Sequence, residues 1–153
     1  MLTDVIIEYC SRQIESGVDA LCLFDSWGHI LSNSNYYTFS YQYMQMICQQ
    51  LKLAYPDIPI ILFARHLNTH LDKIRDIGAQ VIGLDWTTDL NKAQEILGKN
   101  IAIQGNLDNS ILMCNTDTVI KETQALLKSQ HQNPGFILNL GHGILPQTPP
   151  HNI

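Results

Sequence analysis

His142 stands between Gly141 and Gly143, directly after the apolar run Phe136-Ile137-Leu138-Asn139-Leu140. Near neutral pH an imidazole can offer a carboxylate either a hydrogen bond or a positive charge, and flanking glycines leave backbone for close approach to a ligand. The stretch reads as the mouth of a site at the carboxyl end of a strand. Ser26 follows a second apolar run, Ala20-Leu21-Cys22-Leu23-Phe24; its hydroxyl can donate to a ligand oxygen or cap the next turn. Asp25, Asp85 and Asp108 close three such runs, so paired-carboxylate acid/base chemistry, helix capping and loop bracing are all open to them. His66 and His70 are four apart, as two metal ligands on one helix face would be. With no third ligand of matching type nearby, a solvated or capping pair is the better reading.

These residues need elements to position them. Leu2, Val5, Ile6, Tyr9 and Ile14 recur near helical spacing, predicting a helix over 2–16 capped by Thr3 or Asp4 and stopped by Gly17. Residues 20–24 are continuously apolar, the pattern of a strand buried on both faces. Asn33-Ser34-Asn35 then breaks the chain, and Phe39, Met44, Ile47, Leu51 and Ala54 mark a helix that Pro56 ends. Strand, helix and strand follow: 59–64, the stripe Leu67, Leu71, Ile74 and Ile77 stopped by Gly78, and 80–84. Asp89 can cap a helix through Leu97 that Gly98 closes. Strand 101–104 exits through Gly105-Asn106-Leu107-Asp108, and Asn115 or Thr116 caps a helix carrying Val119, Ile120, Thr123, Leu126 and Leu127 on one face. Asn133-Pro134-Gly135 turns the chain into the last strand. Strict alternation demands an α/β fold of parallel strands joined by right-handed crossovers. Five strands suit either a doubly wound open sheet or part of an eight-stranded barrel, and periodicity does not choose between them.

The chain has 153 residues, 45% of them hydrophobic, enough for one domain over 1–153 with a real core. A net charge of −5 with nine scattered Lys and Arg leaves no electrostatic footprint for nucleic acid. The N-terminal residues carry acids within their apolar run and lack a basic segment, so neither a signal peptide nor a membrane span is expected. Cys10, Cys22, Cys48 and Cys114 lack C-x-x-C spacing and lie in apolar contexts, which predicts reduced, buried thiols and a cytoplasmic address. The aromatic segment Tyr36-Tyr37-Thr38-Phe39-Ser40-Tyr41-Gln42-Tyr43 has no basic residue between its rings. It reads as a core-facing helix start or a subunit contact instead of a base-stacking platform.

Three stretches carry a resemblance: Phe24-Asp25-Ser26-Trp27-Gly28, Gln104-Gly105-Asn106-Leu107-Asp108, and Phe136 through Gly143 followed by Pro149-Pro150-His151-Asn152. In this order they resemble the C-terminal half of the uroporphyrinogen decarboxylase family. The resemblance implies a (β/α)8 TIM-type barrel of which these are the last five βα units, the barrel being incomplete in this chain. It implies a lyase without metal or organic cofactor, decarboxylating the acetate side chains of uroporphyrinogen to coproporphyrinogen in haem biosynthesis. Ser26 and His142 match substrate-binding positions, and the strand-end aspartates match scaffolding ones. The family's catalytic Asp, its carboxylate-binding arginines and a site Tyr belong to the N-terminal part, so no catalytic residue and no metal ligand is assigned here.

It follows as an expectation that the chain is inactive by itself and that its first and fifth strands expose unpaired edges. The expected partners are the porphyrinogen substrate in a completed barrel and either an N-terminal half or, since the family is generally dimeric, a second copy. Two departures from the family pattern suggest relaxed constraint on the rim: Phe63-Ala64-Arg65-His66-Leu67-Asn68 where many members carry Lys or a Gly-rich stretch, and Asn109 where Pro is usual. A non-catalytic remnant or interaction protein from a split gene is the alternative. A corrinoid-dependent methyltransferase of the same superfamily would need a His-x-Cys zinc motif, which the sequence lacks.

Overall fold

The structure, a computed structural model, describes residues 1–153 apart from the side chain of Asn68. Five strands, β1 (Leu21–Asp25), β2 (Ile60–Ala64), β3 (Val81–Gly83), β4 (Ala102–Leu107) and β5 (Phe136–Leu140), form one parallel sheet in the spatial order β1-β2-β3-β4-β5. That order decides the architecture. A doubly wound sheet reverses its strand order at a switch point, whereas here every crossover advances one place in the same direction. With right-handed crossovers, helices then collect on one face, which makes this sheet a barrel wall.

The register separates the two faces. Leu23, Leu62, Ile82 and Ile103 align across β1 to β4 and are buried beneath the helices with Ile47, Leu51, Ile74 and Leu97. The alternate row, Phe24, Phe63, Gly83, Gln104 and Ile137, faces the open side. Phe24 at the β1 edge is 67% exposed, yet Phe63 beside it is only 8% exposed. The cause is Gly83: a Cβ there would lie 3.1 Å from both Cβ and Cδ2 of Phe63, so the missing side chain leaves room for the ring to lean over β3.

The helices are α1 (Leu2–Glu15), α2 (Asn33–Tyr36), α3 (Gln42–Ala54), α4 (Leu71–Ile74), α5 (Leu90–Leu97) and α6 (Thr116–Ser129). Asp89 caps α5 by accepting from the amides of Asn91 and Lys92, Gly98 ends it, and Asn115 caps α6 through the Thr118 amide. Other expectations need correcting. α1 starts at Leu2, so Thr3 and Asp4 lie in its first turn, where an Asp complements the helix dipole without capping. Its apolar stripe divides: Ile6 and Ile14 pack on the core, whereas Leu2, Val5 and Tyr9 are exposed. Asn33-Ser34-Asn35 starts a helix instead of breaking one, running through a π-helical turn at Tyr37–Tyr41 into α3; short polar residues suit a first turn as well as a break. Within the aromatic segment Tyr36 is buried and Phe39 and Tyr43 are exposed.

All four thiols are free, but only Cys10 and Cys48 are buried; burial pushes the Cys48 thiol up to about 12. Cys22 is exposed because it points to the open face of the edge strand β1. No helix among the described residues is long and apolar enough to cross a membrane.

Candidate functional site

The carboxyl ends of the strands share one rim, and their exit loops are held by side chains that the chain supplies at each strand end. After β1, the Asp25 carboxylate accepts from the amides of Gly28 at 2.8 Å and Trp27 at 3.3 Å, and also from the Ser40 hydroxyl. Asp25 therefore does the bracing that Ser26 could have done, and the half-buried Ser26 is not the cap of the Gly28–Ile30 turn. Gly28 is required here, since a Cβ would strike the Asp25 carboxylate and come within 3.1 Å of the Tyr36 ring. Burial, reinforced by the nearby Asp25 charge, raises the Tyr36 hydroxyl well above its ordinary range.

After β3, Asp85 is only 2% exposed. It accepts from the His66 amide at 2.7 Å, the Thr87 amide at 3.0 Å and the Thr87 hydroxyl at 2.5 Å. A carboxylate so occupied holds loops together. It also fixes His66 in a left-handed conformation, φ 56°, uncommon outside glycine. His66 consequently ends before the next helical turn and does not share a helix face with His70. The His70 ring instead stacks on Tyr36, 4.4 Å between centroids and 10° between planes, and burial lowers its pKa. Asp108, after β4, accepts from the Ser110 amide at 2.8 Å. All three strand-end aspartates thus brace loops. Among the described residues, no group of three or more His, Cys, Asp or Glu is arranged to hold a metal ion.

β4 runs three residues past its expected end, to Leu107. Asn106 ties it to the β3 exit by donating to the carbonyls of Asp85 at 2.9 Å and Thr88 at 2.7 Å. Gly105, φ 138°, approaches β3 so closely that a Cβ would lie 2.5 Å from the Leu84 carbonyl oxygen.

His142 follows β5 and is half-buried, its ring 6.1 Å from that of Phe63 and edge-on to it. The loop therefore reaches back over the open face as far as β2. Its two glycines differ in purpose. A Cβ on Gly141 would lie 2.7 Å from the Trp86 amide nitrogen, whereas one on Gly143 would meet nothing within 4 Å. Gly141 serves the approach of two loops to each other, and only Gly143 leaves open space beside the imidazole. Asn109, buried, donates to the Gly143 carbonyl at 2.7 Å. Asn109 departs from the family pattern, which by itself suggests relaxed constraint, but in the structure it anchors the His142 loop; no local pattern signals a bond across 34 positions. Asn152 likewise pins the chain end, donating to the carbonyls of Leu112 and Cys114 and accepting from the Thr116 hydroxyl. Of the stretch over 63–68, the side chain of Asn68 lies outside what the structure describes.

Ser26 and His142 thus emerge at the carboxyl ends of β1 and β5, the two edges of the wall, on the rim where barrels of this kind hold their ligands.

The chain is 42% identical over 148 residues to uroporphyrinogen decarboxylase of Legionella pneumophila strain Corby, an alignment covering 97% of this chain and 42% of that protein. With the same-named protein of Syntrophotalea carbinolica it shares 43% over 151 residues, covering 99% and 43%. The chain spans less than half the length of these relatives. In three dimensions it superposes on a methyltransferase from Methanosarcina mazei with a TM-score of 0.81 at 21% identity, covering 98% of this chain and 44% of the other; at that identity the likeness concerns the fold. The family model described as uroporphyrinogen decarboxylase matches residues 1–153. With its single-wound parallel wall and all three signature stretches at the carboxyl rim or its supports, the chain belongs to the uroporphyrinogen decarboxylase family, as a partial barrel.

Proposed function

We propose that this chain is the C-terminal portion of a uroporphyrinogen decarboxylase and supplies part of the porphyrinogen-binding rim of a completed barrel. The observation that carries the reading is the placement of Ser26 and His142 at opposite edges of one rim, with Asp25 taking over the local bracing and His142 reaching back to Phe63. In this reading the Ser26 hydroxyl donates to a substrate carboxylate oxygen, and the His142 imidazole supplies a hydrogen bond or a positive charge to another. These interactions position the macrocycle. Stabilising the charge that develops as an acetate arm loses CO2 falls to Asp and Arg groups on the remaining units, without metal or organic cofactor. Losing one principal electrostatic stabiliser commonly costs about 10²–10³ in rate, and several such groups fall to the remaining units, so in this reading no measurable turnover is expected of this chain by itself.

The barrel is completed by an N-terminal half or the chain pairs with a second copy, in the cytoplasm. A second reading, a non-catalytic interaction protein, is favoured by an apolar groove of about 660 Å³ at the β1 edge, lined by Leu2, Phe24, Trp27, Ile30, Phe39 and Tyr43. The test is conversion of uroporphyrinogen to coproporphyrinogen by the purified chain, with and without an N-terminal half taken from a relative and with an intact family enzyme as control. We expect no product from the chain alone and restored product on complementation. Turnover by the chain alone would overturn the division of labour, and failure of complementation with an active control would favour the interaction reading.

A further inference from the structure

A second cavity, about 330 Å³, opens beside the Ser26 loop and is lined by His29, Arg65, His66, Thr69, His70 and Thr87, among others. No Asp or Glu is among its described lining residues, in a chain of net charge −5. Two of its side chains carry buried atoms with no hydrogen-bond partner among the described residues: Nδ1 of His29 and Nε of Arg65. Arg65 Nε–H is a donor in any state, and an unpaired buried donor is costly; His29 Nδ1 is a second donor in the tautomer that carries its proton there, and both then lack the same kind of partner, an acceptor. Both groups are held in place. The Arg65 guanidinium carbon lies 5.9 Å from the centre of the Trp86 ring. The His29 ring stacks on Trp27 at 6.1 Å and meets His66 edge-on at 5.1 Å. Two carboxylates beside it are engaged by loop groups: Asp85 holds the His66 amide and Thr87 and lies 4.0 Å from the His66 ring, and Asp25 holds Trp27, Gly28 and Ser40.

We propose that this cavity binds a small oxyanion, a carboxylate or phosphate group, with the Arg65 guanidinium and the His29 imidazole as its principal partners. Arg provides rigid, directed donors for such a group. The volume lies at the low end for small-molecule sites, which suits a small anion or one acidic arm of a larger molecule instead of a whole macrocycle. The inference does not depend on the porphyrinogen reading, since free-anion binding stands whether or not complementation restores turnover.

The test follows the Arg65 Nε–H resonance of the full chain by heteronuclear NMR while citrate or inorganic phosphate is added at constant ionic strength, with chloride as the control for screening. A saturable shift at millimolar anion is expected, weakened about tenfold in Arg65→Gln and in His29→Gln. Uroporphyrin then separates the sources. If it displaces citrate, the site takes an acidic arm of the larger ligand; if both bind together, it takes a free anion. The absence of a saturable shift in a folded chain would overturn the proposal, as would unchanged affinity in both variants.

Discussion

The two faces of the sheet are built from alternating residues of the same strands, yet they meet different surroundings. Toward the helices, Leu23, Leu62, Ile82 and Ile103 are buried in one continuous core. Toward the open side, Phe24 and Ile137 are exposed at the two edges, and only the centre is covered, by Phe63 over Gly83. The covered face is completed by helices that each crossover supplies in sequence. The open face of a barrel wall is covered only by strands from the other side. Packing in this chain is therefore concentrated on the helix-covered face, while on the other face apolar side chains such as Phe24 and Ile137 stay exposed.

The largest test of that contrast is Ile82→Ala, which leaves a cavity in the covered face and should cost about 2–5 kcal/mol in urea unfolding. Phe24→Ser on the open face should leave the urea midpoint nearly unchanged; an equal loss would break the comparison. The paired glycines sharpen it at the rim. Gly141→Ala forces a Cβ against the Trp86 backbone and should cost about 1–3 kcal/mol, whereas Gly143→Ala meets nothing and should fall within about 0.5 kcal/mol of the parent. Asn109→Ala removes the bond to the Gly143 carbonyl and should cost about 1 kcal/mol; amide exchange should quicken in the His142 loop before it does in β4. The smallest effect is a slope with pH. Burial, opposed by the Asp72 charge and aided by that of Lys73, lowers the His70 pKa below its ordinary 6.5, so the unfolded chain binds the proton more readily. His70 therefore contributes stability above pH 6.5 that is lost as the pH falls toward its folded value. His70→Phe, which keeps a ring on Tyr36, should flatten that part of the Tm profile; an unchanged slope would assign it to another group.

Much of this was legible because the signals are local. Continuous apolar runs placed five strands, Asp89 and Asn115 announced their helices, and Gly98 announced a stop. The errors were local too. Asn33-Ser34-Asn35 looks alike in a break and in a first turn, and a helical stripe such as that of α1 does not say which part of it will be covered. At the rim, Asp25, Asp85 and Asp108 could be seen to end strands, but their tasks depended on which amides the loops brought to them.

Period, turn chemistry and motif are written in neighbouring positions, and they suffice for the alternation of strands and helices, the family, and the strand ends from which Ser26 and His142 emerge. Periodicity left open whether the sheet is a barrel wall or doubly wound; the family resemblance implied the barrel, and the spatial strand order established it. Tertiary structure alone decided that Gly141 serves a neighbouring loop, that Asn109 anchors the His142 loop, and that His29 and Arg65 face one cavity. Each of these depends on contacts between segments distant along the chain, and such contacts exist only once the strands have taken their spatial order.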